Sequence, residues 1–277
     1  MADFSAQDVK RLRDMTAAGM MDCKAALVEA EGDFDKAVEV LRIKGAKGVG
    51  KREGRSTSNG LVTAKLDGTA SGTLLDLNCE TDFVGKSDIF IALADSLVAH
   101  IAATNPSDVD ALLVSDLDGK SVKEVLDDAN ATMGEKIEVR RFQTYAEPFV
   151  FTYLHKTSPD LPPQIGVLVQ LSGDNAEIAK DIAQHIAAFS PSYVRREDVP
   201  AETVESERRI AEATAREEGK PEAALPKIVE GRVTGFFKDN CLVEQAFAKD
   251  NKKSVAQVLT EAGLDVQAFA RFKVGQD

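Results

Sequence analysis

Over roughly the first 45 residues apolar positions recur three and four apart, and glycine interrupts them at Gly19 and Gly32. Val9, Leu12 and Met15 fall on one face of a helix that Ser5 and Asp8 open as a capping box. Gly19 ends that helix, Asp22 caps a second one carrying Ala26 and Leu27, and Gly32 closes it. Asp33 opens a third helix whose Phe34, Ala37, Val38 and Leu41 face inward. The pattern therefore predicts a small three-helix unit, with Met20 and Met21 in the turn between its first two helices. Thioether side chains there suit either an adaptable contact surface or the closing of a very small core.

The periodicity then lapses in "KGAKGVGKREGRSTSNG", residues 44–60, where five Gly and five Lys or Arg occupy 17 positions. So little apolar surface cannot pack, and the stretch reads as a flexible basic linker. Gly45, Gly50 and Lys51 match the spacing of a phosphate-binding loop, but a helix precedes them. Arg52 also stands where such a loop needs Ser or Thr, so nucleotide binding is not expected there.

Beyond residue 60 the pattern shortens to strand periodicity. "LVTAKLD", a Gly-containing turn and "GTLLDLNCE" predict two strands in a hairpin-like relation, and Ser87 caps the helix "DIFIALADSLVAHIAAT". "IGVLVQLSG" predicts a further strand, and "AEIAKDIAQHIAAF" the helix after it. The ends of these two helices nearly repeat, as "AHIAATNP" at 99–106 and "QHIAAFSP" at 184–191, which sets His100 and His185 in register at an offset of 85 residues. That points to duplication of a strand-and-helix subdomain. Between the copies, Ser121 and Glu124 form a second capping box before "VLDDANATMG", while "KIEVRRFQTY" and "FVFTYLHK" read as joining strands. From residue 200 a polar helix, "AETVESERRIAEATAREEG", adjoins one that Pro221 opens and that keeps Leu225, Ile228, Val229, Val233 and Phe236 on one side. Such a pair reads as a projecting helical hairpin. "SVAQVLTEAGLDVQAFARFKVG" then gives a short helix and a last strand.

The expected fold class is α+β, in five parts: a three-helix domain at 1–45, a linker at 46–60, a core subdomain at 61–140, a related one from 141–199 and 241–277, and the hairpin at 200–240. A chain of 277 residues with 43% hydrophobic and 29% charged residues is long enough for about two domain cores. No apolar run reaches membrane-spanning length, and the polar N-terminus lacks the apolar segment of a signal peptide, so a cytoplasmic protein is expected. Cys23, Cys79 and Cys241 are odd in number and far apart, which favours buried thiols over disulfides. A net charge of −12 repels nucleic-acid backbones, so a protein partner is the better expectation. His100, His155 and His185 share no ligand spacing, and no nucleophile elbow or dinucleotide fingerprint occurs. Neither an enzyme active site nor a cofactor is expected. One stretch stands out, "NCETDFV", which puts Asp82 and Phe83 where an apolar strand should be turning. On the residues alone, Phe83 reads as a side chain folding back onto the core.

"MTAAGMMDCKAAL", "NCETDFV", "IGVLVQLSG", "KIVEGR" and the closing "RFKVG", in that order over essentially the whole chain, resemble the bacterial elongation factor Ts family. The resemblance implies a ubiquitin-associated-like three-helix domain, a linker, two related α+β subdomains and a protruding hairpin. It also implies a guanine nucleotide exchange factor for elongation factor Tu, meeting the GDP-bound form and leaving a nucleotide-free complex. Magnesium and nucleotide then belong to the partner. The exchange element carries over to Thr81, Asp82, Phe83 and Val84, with Phe83 wedged between helices of the partner's G domain to dislodge magnesium and Asp82 making polar contacts. Met20, Met21 and Lys24 carry over as a grip on a partner helix, and Met133, Gly134 and His155 as further contacts. Two departures are expected to alter affinity. The chain reads to "RFKVGQD" where some members continue into a contacting helix, and the loop around 157–163 beside His155 is longer. The family's paired arrangements make the hairpin at 200–240 a candidate homodimer contact. A different expectation is an adaptor that docks on elongation factor Tu or another protein through its three-helix domain without changing GDP release.

Overall fold

The computed structural model describes residues 4–276 apart from 49, 51 and 53. Two compact units divide the chain. The first takes residues up to Tyr145, Leu154–Gly166 and those from Phe272 onward; the second takes Ala146–Tyr153 and Val167–Arg271.

The first unit opens with α1 (Ala6–Thr16), α2 (Met20–Glu29) and α3 (Phe34–Ala46). Ser5 and Asp8 form the expected capping box, the Asp8 amide donating to Ser5 Oγ at 3.2 Å and the Ser5 amide to Asp8 Oδ2 at 2.8 Å. Leu12, Cys23, Leu27, Ala37 and Leu41 close a shared core. Two expectations need correction. Met15 is 47% exposed, because the inward face of α1 closes on Thr16, whose hydroxyl donates to the Leu12 carbonyl at 2.7 Å. Gly19, not Asp22, is the N-cap of α2, so Met20 and Met21 belong to its first turn instead of a loop, and both are exposed.

The segment expected to be a flexible linker is tied to the rest of the unit by side-chain bonds. Arg52 Nη1 donates to the carbonyls of Gly45 (3.2 Å) and Asn130 (3.1 Å), and Arg55 pairs with Glu80 at 3.2 Å. Lys51, the third member of the phosphate-loop likeness, lies outside the described residues.

Next come β1 (Asn59–Asp67), β2 (Ser71–Cys79), the one-turn α4 (Asp82–Gly85), α5 (Asp88–Thr104), α6 (Val109–Val114), β3 (Asp116–Leu117), β4 (Lys120–Ser121), α7 (Val122–Met133) and β5 (Ile137–Ala146). β1 and β2 pair antiparallel from Asn59 opposite Cys79 to Asp67 opposite Ser71, and the sheet order is β1-β2-β5. One face of β2, bearing Leu75, Leu77 and Cys79, packs in a core with Phe90, Leu97 and Ile101 of α5. α3 backs directly onto α7, so closely that a Cβ on Gly45 would sit 1.8 Å from the Ala131 carbonyl oxygen.

The second unit is built on β6 (Phe149–His155), β7 (Ile165–Leu171), α8 (Ala176–Phe189), α9 (Ala201–Glu217), α10 (Leu225–Asn240), β8 (Ala246–Phe247), β9 (Asp250–Ser254), α11 (Val255–Glu261) and β10 (Val266–Lys273). Its sheet order, β10-β7-β6, repeats the first plan strand for strand. The offset of 85 also persists in the backbone, since Asn105 and Ser190 end α5 and α8 in left-handed conformations, φ 46° and 52°. Ser121 with Glu124 and Ser254 with Gln257 cap α7 and α11 by the same box. The fold is α+β, and the second copy carries α9 and α10 where the first has only α6. Ala211, Val229 and Val233 form a buried apolar cluster in that helical pair, and Arg232 Nη2 donates to both Glu218 carboxylate oxygens at 2.7 Å. Pro221 does not open α10 as expected; a 3-10 turn at Glu222–Ala224 intervenes, and Pro226 holds the first-turn position.

Candidate functional site

The turn after β2 is held from both neighbouring strands of the first sheet, by Asn59 at the start of β1 and by the residues just before β5. Thr81 has extended backbone and caps α4, accepting from the Val84 amide at 3.4 Å. The Glu135 carboxylate, placed just before β5, accepts from the amides of Glu80 (3.1 Å) and Thr81 (3.0 Å) and from Thr81 Oγ1 (2.6 Å). Glu80 reciprocates by accepting from the Lys136 amide at 2.6 Å, and it also pairs with Arg55. Asn59 Nδ2 donates to the Glu80 carbonyl at 2.8 Å, and Cys79 Sγ to the Thr81 carbonyl at 3.1 Å. Burial pushes the Glu135 carboxyl above its ordinary value in spite of those three donors. Burial, then the Glu135 charge, drives the Cys79 thiol well up, so it stays protonated and structural.

This clamp decides what the turn can present. Val84 is fully buried in the core while Thr81 and Asp82 are exposed. Phe83 is half-buried: one side packs on the first core, and the Arg13 guanidinium of α1 lies 3.6 Å from its ring centroid. Phe83 is therefore not the core side chain that the residues alone suggest, since part of it stays at the surface. The ring thus sits on a hydrogen-bonded turn with the Arg13 guanidinium over it.

The same stretch begins the match to known proteins, for the family described as "Elongation factor TS" fits residues 80–276. The chain belongs to the elongation factor Ts family. Among its relatives, elongation factor Ts of Streptomyces avermitilis is 61% identical over 277 residues, spanning 99% of this chain and 100% of the relative. That of Acidothermus cellulolyticus is 62% identical over 276 residues and that of Thermobifida fusca 60% over 277, each spanning all of both chains. The chain is thus a factor of protein biosynthesis, in translation elongation.

The other residues that the elongation factor Ts resemblance named are distributed unevenly. Met20, Met21 and Lys24 are all exposed on the first two turns of α2. Gly134 ends α7 in a left-handed conformation, φ 78°, next to the Glu135 that clamps the turn. Met133 is 2% exposed, so its side chain fills the core instead of a contact surface. His155 is exposed at the end of β6, where its carbonyl accepts from the Gln164 amide at 3.0 Å and closes the loop. Sequence reasoning missed Glu135 and Arg13. Each acts across more than 50 residues of chain, and no local spacing signals such a partner. Among the described residues, no group of three His, Cys, Asp or Glu could hold a metal ion, and no helix is long and apolar enough to cross a membrane.

Proposed function

We propose that this chain is the guanine nucleotide exchange factor for elongation factor Tu and that residues 81–84 are the element that opens the partner's nucleotide site. The observation that carries this reading is the doubly clamped turn with Phe83 half out of the core. A wedge acts only if it resists being pushed back: the Glu135 carboxylate accepts from two backbone amides and the Thr81 hydroxyl of the turn, and the Glu80 carboxylate accepts from the Lys136 amide. Because Val84 anchors the turn in the core, force on Phe83 is borne by the sheet. Phe83 enters the partner's G domain and Asp82 bonds alongside it, which shifts the groups that hold magnesium and the GDP phosphates. Met20, Met21 and Lys24 form a second grip, with Gly134 and His155 as further contacts.

No covalent bond is made or broken by this chain, so it has no active site in the enzymatic sense. Coupling is reciprocal: whatever factor it takes from GDP affinity, GDP takes from its own affinity for the partner. It therefore sets the speed of exchange in the cytoplasm, and nucleotide concentrations set the outcome. The decisive experiment is stopped-flow release of a fluorescent GDP analogue from elongation factor Tu. Release should accelerate with rising concentration of this chain. Binding with an unchanged release rate would leave the adaptor reading instead.

A further inference from the structure

We propose that the recess bordered by α6, α7 and the start of β5 is a binding site for a medium-chain alkyl carboxylic acid, with its tail on the floor and its carboxylate at Arg52 and Asn130. The recess measures about 350 Å³, within the range of small-molecule sites. All of its walls come from the first unit, and it shares no residue with the turn at 81–84.

Register builds the floor. Val109 and Leu113 stand one turn apart on α6, Leu126 joins them from α7, and Ile137 and Val139 share one side of β5. Leu126, Ile137 and Val139 are buried members of the first core, whereas Val109 and Leu113 are half-buried and pack against it. Among the described residues no aromatic ring lines the recess, so nothing there stacks on a flat ligand. A floor of aliphatic side chains suits an unbranched alkyl chain.

Two donors select the head group. Arg52 Nη1 bonds to the Gly45 and Asn130 carbonyls, both neutral, so the guanidinium keeps its charge and the N–H groups of Nε and Nη2. Among the described residues no carboxylate pairs with it. Asn130 Oδ1 accepts from the Ile137 amide at 2.6 Å, which fixes the orientation of the side-chain amide. Its Nδ2 is thereby a donor to which the described residues supply no acceptor. Because Arg52 Nη1 stands 3.1 Å from the carbonyl oxygen of Asn130 itself, the two donors are neighbours at the recess wall, and one carboxylate can accept from both.

Charge sets the ligand's sign and number. The two acids that line the recess are engaged, Asp127 by Lys123 at 2.9 Å and Glu138 by Lys136 at 2.8 Å. Three lining cations thus stand against two lining carboxylates, in a chain whose net charge is −12. The single excess positive charge matches a monoanion with an apolar tail, and a phosphate monoester would bring more negative charge than the recess balances.

The test is calorimetric titration of the full chain with octanoate, octanol and butyrate. Octanoate should saturate at one molecule per chain and octanol should bind about tenfold more weakly. Butyrate should bind about a hundredfold more weakly or not at all, since each methylene lost costs about fourfold. Arg52→Gln should bring octanoate down to the level of octanol and leave octanol unchanged. Leu113→Asn should weaken both by about tenfold, and should Arg52→Gln fail to fold, this variant and the chain-length series decide. Failure of octanoate to bind, uptake that does not saturate at one molecule per chain, equal affinity for octanoate and octanol, or native affinity in either variant would each overturn the proposal.

Discussion

The two copies of the α+β plan part at the joint between their second strand and the helix that follows. In the first copy residues 80–87 separate β2 from α5, with α4 folded between them; in the second, residues 172–175 lead from β7 straight to the Asn175 cap of α8. Both joints are tied to the residues just before the third strand. The second uses a short tie, in which the Ser172 amide donates to the Asp265 carbonyl and the Asp265 amide to Ser172 Oγ, each at 2.9 Å. The first needs two glutamate side chains to span the wider turn. The shared scaffold thus supplies a rigid joint twice, and only one joint has been lengthened into a surface feature. The second copy spends its added length elsewhere, on the helical pair α9 and α10.

The largest effect is expected where the first copy is backed by the three-helix unit. Gly45→Ala would drive a Cβ into the Ala131 carbonyl, and backbone cannot yield as a side chain does. A loss of about 3 kcal/mol in thermal unfolding is expected, with α3 sprung from α7. The paired histidines come next. His185 is fully buried, bonded to Gln245 at 2.9 Å and stacked on Phe189, whereas His100 is half-buried with a single side-chain bond to Ser115. His185→Ala should cost about 2–3 kcal/mol and His100→Ala about 1, so equal losses would deny that the copies use this position differently.

Burial also holds the His185 imidazole below its ordinary value, so it is neutral when folded and takes a proton more readily when unfolded. Its stabilising share is present above about pH 6.5 and is lost as pH falls through the lower folded value. Thermal melts between neutral and mildly acidic pH should therefore show the native chain losing its advantage over His185→Gln. A gap that widens on acidification would have the wrong sign.

Smaller again is the clamp. Glu135→Ala leaves two amides and a hydroxyl without their acceptor, and exchange should slow by about tenfold with little change of fold, because the sheet beneath is intact. Least of all, Met21→Ala removes a side chain that is 72% exposed, so stability should hold within about 0.5 kcal/mol. Affinity for elongation factor Tu should weaken by about fivefold, read from the concentration dependence of exchange.

Local rules made much of this legible. Ser5, Ser87 and Ser121 cap the helices assigned to them, and the repeated "HIAA" marks the two helices that end alike in the backbone. Failures came where a local cue met a distant partner. Arg52 and Arg55 belong to a stretch that reads as a flexible basic linker, yet they bond to the end of α7 and to Glu80. Met133 carries over from the resemblance as a contact, but α7 lies against the core, and that face cannot be known without the tertiary packing. For the candidate site, the motif was visible and its support was not. Glu135 lies 54 residues beyond Thr81, and Arg13 joins the turn from another helix bundle.

The most direct measurement compares one aromatic from each copy, the half-buried Phe83 and the exposed Phe189, in stopped-flow GDP release from elongation factor Tu. Phe83→Ala should cut the acceleration by about a hundredfold, equivalent to about 2.7 kcal/mol of barrier, while the chain still folds. Phe189→Ala removes a ring that is 53% exposed at the end of α8, and it should change the rate by less than about twofold. A Phe83→Ala protein that still exchanges at the native rate, or a Phe189→Ala protein that fails equally, would contradict the assignment of exchange to the lengthened joint of the first copy.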